Sequence, residues 1–145
     1  MPQVDFYLLL QTQARYARNR FVCQLADKAW HQGYRVYIHT SSKEQANELN
    51  DLLWTFKPDR FLPHDLHPDD SPSIAPIRIG YGDLIAENMT LLINLTETFP
   101  SFFKQFQRIA EIIIDTPAAR EAGRTRYRVY REEKYELKTH EISRD

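Results

Sequence analysis

Short apolar runs alternate with amphipathic stretches along the 145 residues, which predicts an α/β fold. The expected architecture is a single three-layer domain, residues 1–145, with a mostly parallel sheet of about five strands flanked by helices. Two further observations favour one unit over several. The length falls near that of one ordinary domain, and no repeat, low-complexity tract or Gly/Ser linker interrupts the chain.

The elements follow in order. "VDFYLLL", Val4 to Leu10, reads as a strand buried on both faces. From Asn19 a helix follows, with Phe21, Val22, Leu25, Ala26, Ala29 and Trp30 on one face and Gly33 as its stop. "RVYIHT", Arg35 to Thr40, is a second strand. Ser42 and Gln45, three residues apart, form a capping box that opens the next helix. Its inner stripe is Ala46, Leu49, Leu53 and Phe56. "KPDRFLPHDLHPDDSPSIAP" is polar and proline-rich, so it reads as one long irregular loop. "IRIGY", "TLLINLT" and "RIAEIIID" are three further strands, and "SFFKQF" is an aromatic helix between the last two. Thr116 caps a final helix whose first position is Pro117.

Composition narrows the function. The hydrophobic fraction of 42% excludes a disordered chain. A net charge of −1, from 19 basic and 20 acidic side chains, argues against a general polyanion binder. Cys23 is the one cysteine and falls in an apolar helical pattern, which predicts a buried, inert thiol. No signal-peptide pattern or membrane-length apolar run is present, so the expected location is the cytoplasm.

The fold is Rossmann-like, but no nucleotide site is expected. The first strand-to-helix turn, "LLLQTQARYARNR", lacks the glycines that let backbone N–H groups approach a phosphate. The "GYG" at Gly80 to Gly82 reads as a turn between strands. His64, Asp65, His67, Asp69 and Asp70 fit no metal-ligand spacing, so neither metal nor cofactor is expected. No nucleophile sits in a recognisable motif either. The alternatives from other classes are a nucleotide-dependent or hydrolytic α/β enzyme, and a direct single-strand DNA binder whose tyrosines stack on bases.

Two surfaces remain. Trp54, with Phe61 soon after it, either closes the core at a helix end or anchors a protein partner. The second is "RTRYRVYR", Arg124 to Arg131, within a stretch from Pro117 to Arg131 that holds five arginines and one glutamate. On a helix Arg120, Arg124, Tyr127, Arg128 and Arg131 share a face, while Arg126 and Tyr130 point elsewhere. The stripe is expected to be unpaired along its own length. A solvated helix face is the bland alternative, but such faces usually mix charge signs. Arginine beside tyrosine suits a carboxylate attached to an apolar or aromatic group.

"FYLLL", "RVYIHT", "LWTFKPDRFLPH" and "RTRYRVYR", in this order and spacing, resemble the chi subunit family of bacterial DNA polymerase III holoenzyme. The resemblance spans nearly the whole chain up to Arg131. It implies a non-catalytic bridge in DNA replication with no cofactor and no specific nucleic-acid contact of its own. One surface would hold the psi subunit, which links to the clamp loader. Another would bind the acidic, phenylalanine-terminated tail of single-stranded DNA-binding protein. By that resemblance Arg120, Arg124, Tyr127 and Arg128 fall on the tail-binding helix. Trp54, Phe61, Pro63 and His64 fall on the psi surface, which an iron–sulfur helicase would also use. Nothing is carried over onto the loop from Asp65 to Pro76 or the tail "YELKTHEISRD".

Overall fold

The computed structural model describes residues 2–11, 14–56, 62–67, 75–82 and 85–143. Strands β1 (Gln3–Leu9), β2 (Val36–Thr40), β3 (His64–His67), β4 (Ile77–Tyr81), β5 (Leu91–Asn94), β6 (Arg108–Ile114) and β7 (Glu136–Ile142) form one sheet. Their order is β3-β4-β2-β5-β6-β1-β7, and every pairing among them is parallel. Helices α1 (Arg15–His31) and α2 (Lys43–Thr55) cover one face; α3 (Pro117–Glu132) covers the other.

Alternation along the strands builds both layers. Leu9, Ile38, Ile93, Ala110 and Ile112 face the stripe of Val22, Cys23, Ala26, Leu49 and Leu53 from α1 and α2. Strand residues of the opposite parity, Val4, Phe6, Leu92, Ile109 and Ile113, face Ala119 and Tyr130 of α3. Buried Cys23 behaves as a small apolar group: desolvation pushes its thiol up to about 12.

The local signals are read correctly where their partners are near in sequence. Ser42 Oγ accepts the Gln45 N–H at 3.2 Å, and Gln45 returns a bond to the N–H of Ser41, one residue before the cap. Thr116 Oγ1 accepts from the Ala119 N–H. Gly33, at φ +94°, closes α1 through bonds from the Gly33 and Tyr34 N–H groups to the carbonyls of Trp30 and Ala29. Helix α1 begins four residues earlier than Asn19, at Arg15.

Three expectations need correction. The sheet has seven strands where about five were expected. The two additions, β3 and β7, are its edges. β3 lies inside the proline-rich stretch read as a loop, and β7 is a polar run whose side chains are exposed or half-buried. A parallel edge strand is held by its backbone on one side only and needs no apolar pattern, so hydrophobic periodicity does not reveal it. The third correction concerns "SFFKQF", which forms only a single 3-10 turn, Phe103–Gln105. Phe103 and Phe106 are buried beside Phe99 and Phe102, and inserting rings from one short segment into the layer is incompatible with a longer helix.

A buried polar network locks α3 to the sheet. Glu111, in the middle of β6 and fully buried, accepts hydrogen bonds from Arg126 Nε at 2.9 Å and Tyr130 Oη at 2.7 Å on α3. Asn94 Nδ2 of β5 adds a third at 3.0 Å. The Arg126 fork continues to the Glu97 carbonyl at 2.8 Å. Burial pushes the Glu111 carboxyl up, and the adjacent guanidinium and the donated hydrogen bonds pull it part of the way back. Tyr130, raised by burial and by Glu111, stays a donor.

The network predicts a large, asymmetric stability loss. Arg126→Ala should cost about 3–5 kcal/mol, because it leaves a buried carboxylate without its cation. The double change Glu111→Leu with Arg126→Met should cost clearly less than the single one, as read by urea unfolding.

A second buried carboxylate ties β7 to β1 and predicts pH dependence. Asp5 accepts from Arg108 Nε at 2.9 Å, lies 3.0 Å from His140 Nε2, and is bonded by Gln3. Burial raises its pKa, but the bonds from His140, Arg108 and Gln3 and the Arg108 charge leave it net below the ordinary 3.8. Its contribution is therefore complete above that value and lost as pH falls through the lower, folded one. Asp5→Asn should be less stable at neutral pH but show a flatter acid limb below about pH 4 in unfolding titrations.

Candidate functional site

Helix α3 presents arginines in two opposite directions. Arg126 points into the sheet, as described above, and the same helical turn points Arg120, Arg124 and Arg128 outward. Beneath them a cleft of about 410 Å³ opens between α3 and the edge of the sheet. Its floor is apolar: Phe6 and Leu8 of β1 and Ile113 of β6, with Thr139 of β7 at one side. Tyr127 forms a wall, its ring tilted against Phe6 at 5.3 Å between centroids. Gly123 lets α3 approach, since a Cβ there would fall 2.4 Å from Ile113 Cδ1.

The rim is cationic and partly ordered. Arg120 Nε donates to Asp115 Oδ1 at 2.9 Å, and Asp115 Oδ2 accepts the Gln11 N–H at 2.7 Å. The Gln11 N–H first, and then the Arg120 side chain, hold the Asp115 carboxyl below the usual carboxylate range. Arg124 Nη1 donates to Glu121 Oε2 at 3.0 Å. The stripe is thus paired along its own length at this position, contrary to expectation, because Glu121 stands one turn before Arg124 on the same face. Both partners are largely exposed, so the pair is weak and readily exchanged for another carboxylate. Among the described residues Arg128 reaches only Thr125 Oγ1, at 3.5 Å. Arg131 shares the face but lies beyond the cleft's lining.

Arg120, Arg124, Tyr127 and Arg128 are therefore brought together. Sequence reasoning missed the floor and the rim's own acids. The floor was within reach, since Phe6 and Leu8 are two apart in a strand and so share a face. Thr139 was not, because its strand carries no apolar signal.

Trp54 stands on the other face of the sheet, at the far edge. It is 54% exposed, which decides against its closing the core. Its ring packs on the buried His64 at 4.7 Å, and His64 Nδ1 meets the Leu62 carbonyl. Pro63 is half-buried between them in sequence. Phe61, Asp69 and Asp70 lie outside the described residues. His64, expected in an exposed loop, begins β3, and Asp65 of that strand is paired with Arg78 Nε at 2.7 Å. Among the described residues no group of three or more His, Cys, Asp or Glu is placed to hold a metal ion, and no helix is long and apolar enough to cross a membrane.

Comparison with known proteins finds relatives along nearly the whole chain. The family model described as "DNA polymerase III chi subunit, HolC" matches residues 1–138. DNA polymerase III subunit chi of Pseudomonas aeruginosa is 40% identical over 144 residues, covering 99% of both chains. Its counterpart from Haemophilus influenzae is 30% identical over 139 residues, covering 95% of this chain and 96% of that one. In three dimensions the chain resembles T4 UvsW with a TM-score of 0.69 at 10% identity. That likeness covers 97% of this chain but 41% of the other, and it concerns the fold alone.

Proposed function

The chain belongs to the DNA polymerase III chi subunit family, and on that premise we propose how its two surfaces serve the family's role. That role is non-catalytic: an accessory subunit of the bacterial replicative polymerase bridges the clamp loader, through psi, to the acidic tail of single-stranded DNA-binding protein. The arginine-rimmed cleft under α3 is the tail site. Its support is one observation, three outward guanidiniums over an apolar floor walled by an aromatic ring. A peptide ending in phenylalanine offers the complement: a ring for Phe6, Leu8, Ile113 and Tyr127, an α-carboxylate and acidic side chains for Arg120, Arg124 and Arg128.

The exposed Trp54, with Pro63, His64 and Phe61, is the psi surface, and an iron–sulfur helicase would compete for it. Trp54 has the features of an interface anchor, a large exposed ring held rigid against a buried histidine. This assignment places the protein's work at the replication fork in the cytoplasm.

Fluorescence-anisotropy titration of a short acidic peptide ending in free-carboxylate phenylalanine tests the tail site. Arg124→Ala should weaken the complex about ten- to hundredfold, corresponding to loss of one charged bond of about 1.5–3 kcal/mol. Amidating the peptide should weaken it with wild type as well. No binding by folded wild-type protein would sink the assignment. Trp54→Ala should lower psi affinity by about 2 kcal/mol or more while leaving peptide affinity unchanged. A loss of both in one variant would point to misfolding instead.

A further inference from the structure

We infer that Asp115 is a positioning residue of the cleft, which sets Arg120 as the fork for the ligand's terminal carboxylate. The inference rests on the reading of the cleft as a carboxylate-binding site and names which arginine takes which charge. The three rim arginines differ in what their terminal nitrogens already do. Arg124 Nη1 is engaged with Glu121, and an Arg128 Nη contacts Thr125. Arg120 is bound through Nε alone, and neither of its Nη atoms has a hydrogen-bond partner among the described residues. Occupation of Nε leaves the end-on pair Nη1 and Nη2, a planar fork that matches two carboxylate oxygens.

Asp115 gives that fork its direction. Its Oδ1 holds Arg120 Nε, and its Oδ2 is anchored by the Gln11 N–H, just beyond the end of β1. Gln11 holds a positive φ of 58°, a conformation uncommon outside glycine, while donating this bond. Asp115 is thus clamped by backbone at the end of β6, immediately before the Thr116 cap, and Arg120 inherits a fixed orientation. A side chain ordered before the ligand arrives does not lose that freedom on binding. Arg124 and Arg128, more exposed, are then suited to the ligand's acidic side chains, whose positions are less strictly defined.

A double-mutant cycle on peptide binding tests this, using wild type, Asp115→Ala, Arg120→Ala and the double variant. Each is titrated with the acidic peptide as free acid and as amide. Asp115→Ala should weaken the free acid about two- to tenfold, the cost of ordering one long side chain on binding. It should leave the amide unchanged and add nothing in the Arg120→Ala background. Equal losses on both peptides, additive losses in the double variant, or tighter binding by Asp115→Ala would each overturn the positioning role. If Asp115→Ala fails to fold, Asp115→Asn, which keeps an acceptor oxygen, should show a smaller loss confined to the free acid. Wild-type protein that binds neither peptide would remove the reading of the cleft itself. Normal wild-type binding with an unaffected Asp115→Ala would remove only the role of Asp115.

Discussion

The Glu111–Arg126 pair is the constraint on which the cleft under α3 depends. A carboxylate at the centre of an isoleucine-rich strand is costly to bury, and only its cation and three donated hydrogen bonds make it tolerable. Those partners come from α3 and β5, so satisfying Glu111 forces α3 into one rotational setting and one register along β6. An apolar contact alone would set the helix's rotation less sharply than a directional bond such as this charged one of 2.9 Å.

That setting determines what faces outward. With Arg126 and Tyr130 turned inward, helical geometry leaves Arg120, Arg124, Tyr127 and Arg128 along the cleft. Gly123 adds close approach, so the sheet supplies the floor, and without the sheet the arginine face would be a solvated stripe of little specificity. The rim acids then differentiate the arginines. Asp115 orders one of them, whereas the exposed Glu121 forms a pair that another carboxylate displaces at small cost.

The seven-stranded sheet also separates the two surfaces. The cleft lies over β6, β1 and β7, and Trp54 packs on His64 of β3 at the opposite edge and on the opposite face. Strand spacing of about 4.8 Å places those edges roughly 25–30 Å apart. The two surfaces thus face opposite sides of the sheet. The separation is a consequence of topology: β1 begins the chain yet sits beside the last strand, while β3 is carried outward past β4 and β2.

Much of this was written locally. The Ser42 and Thr116 caps, the Gly33 stop, the buried faces of α1 and α2 and the five apolar strands depend on residues a few positions apart, and their chemistry shows in the order of side chains. The shared face of Arg120, Arg124, Tyr127 and Arg128 follows from helical periodicity in the same way. Other features needed the tertiary structure. β3 and β7 are strands because a neighbouring backbone offers hydrogen bonds, not because their side chains demand burial. Glu111 reads as an anomaly in "RIAEIIID" until Arg126, Tyr130 and Asn94 arrive from other segments. Arg126 and Arg124 are two residues apart, yet one is buried on Glu111 and the other is exposed at the rim of the cleft. Amino-acid type showed only that this helix is rich in arginine. Only the long-range contacts of a buried carboxylate decided which arginines hold the fold and which remain available.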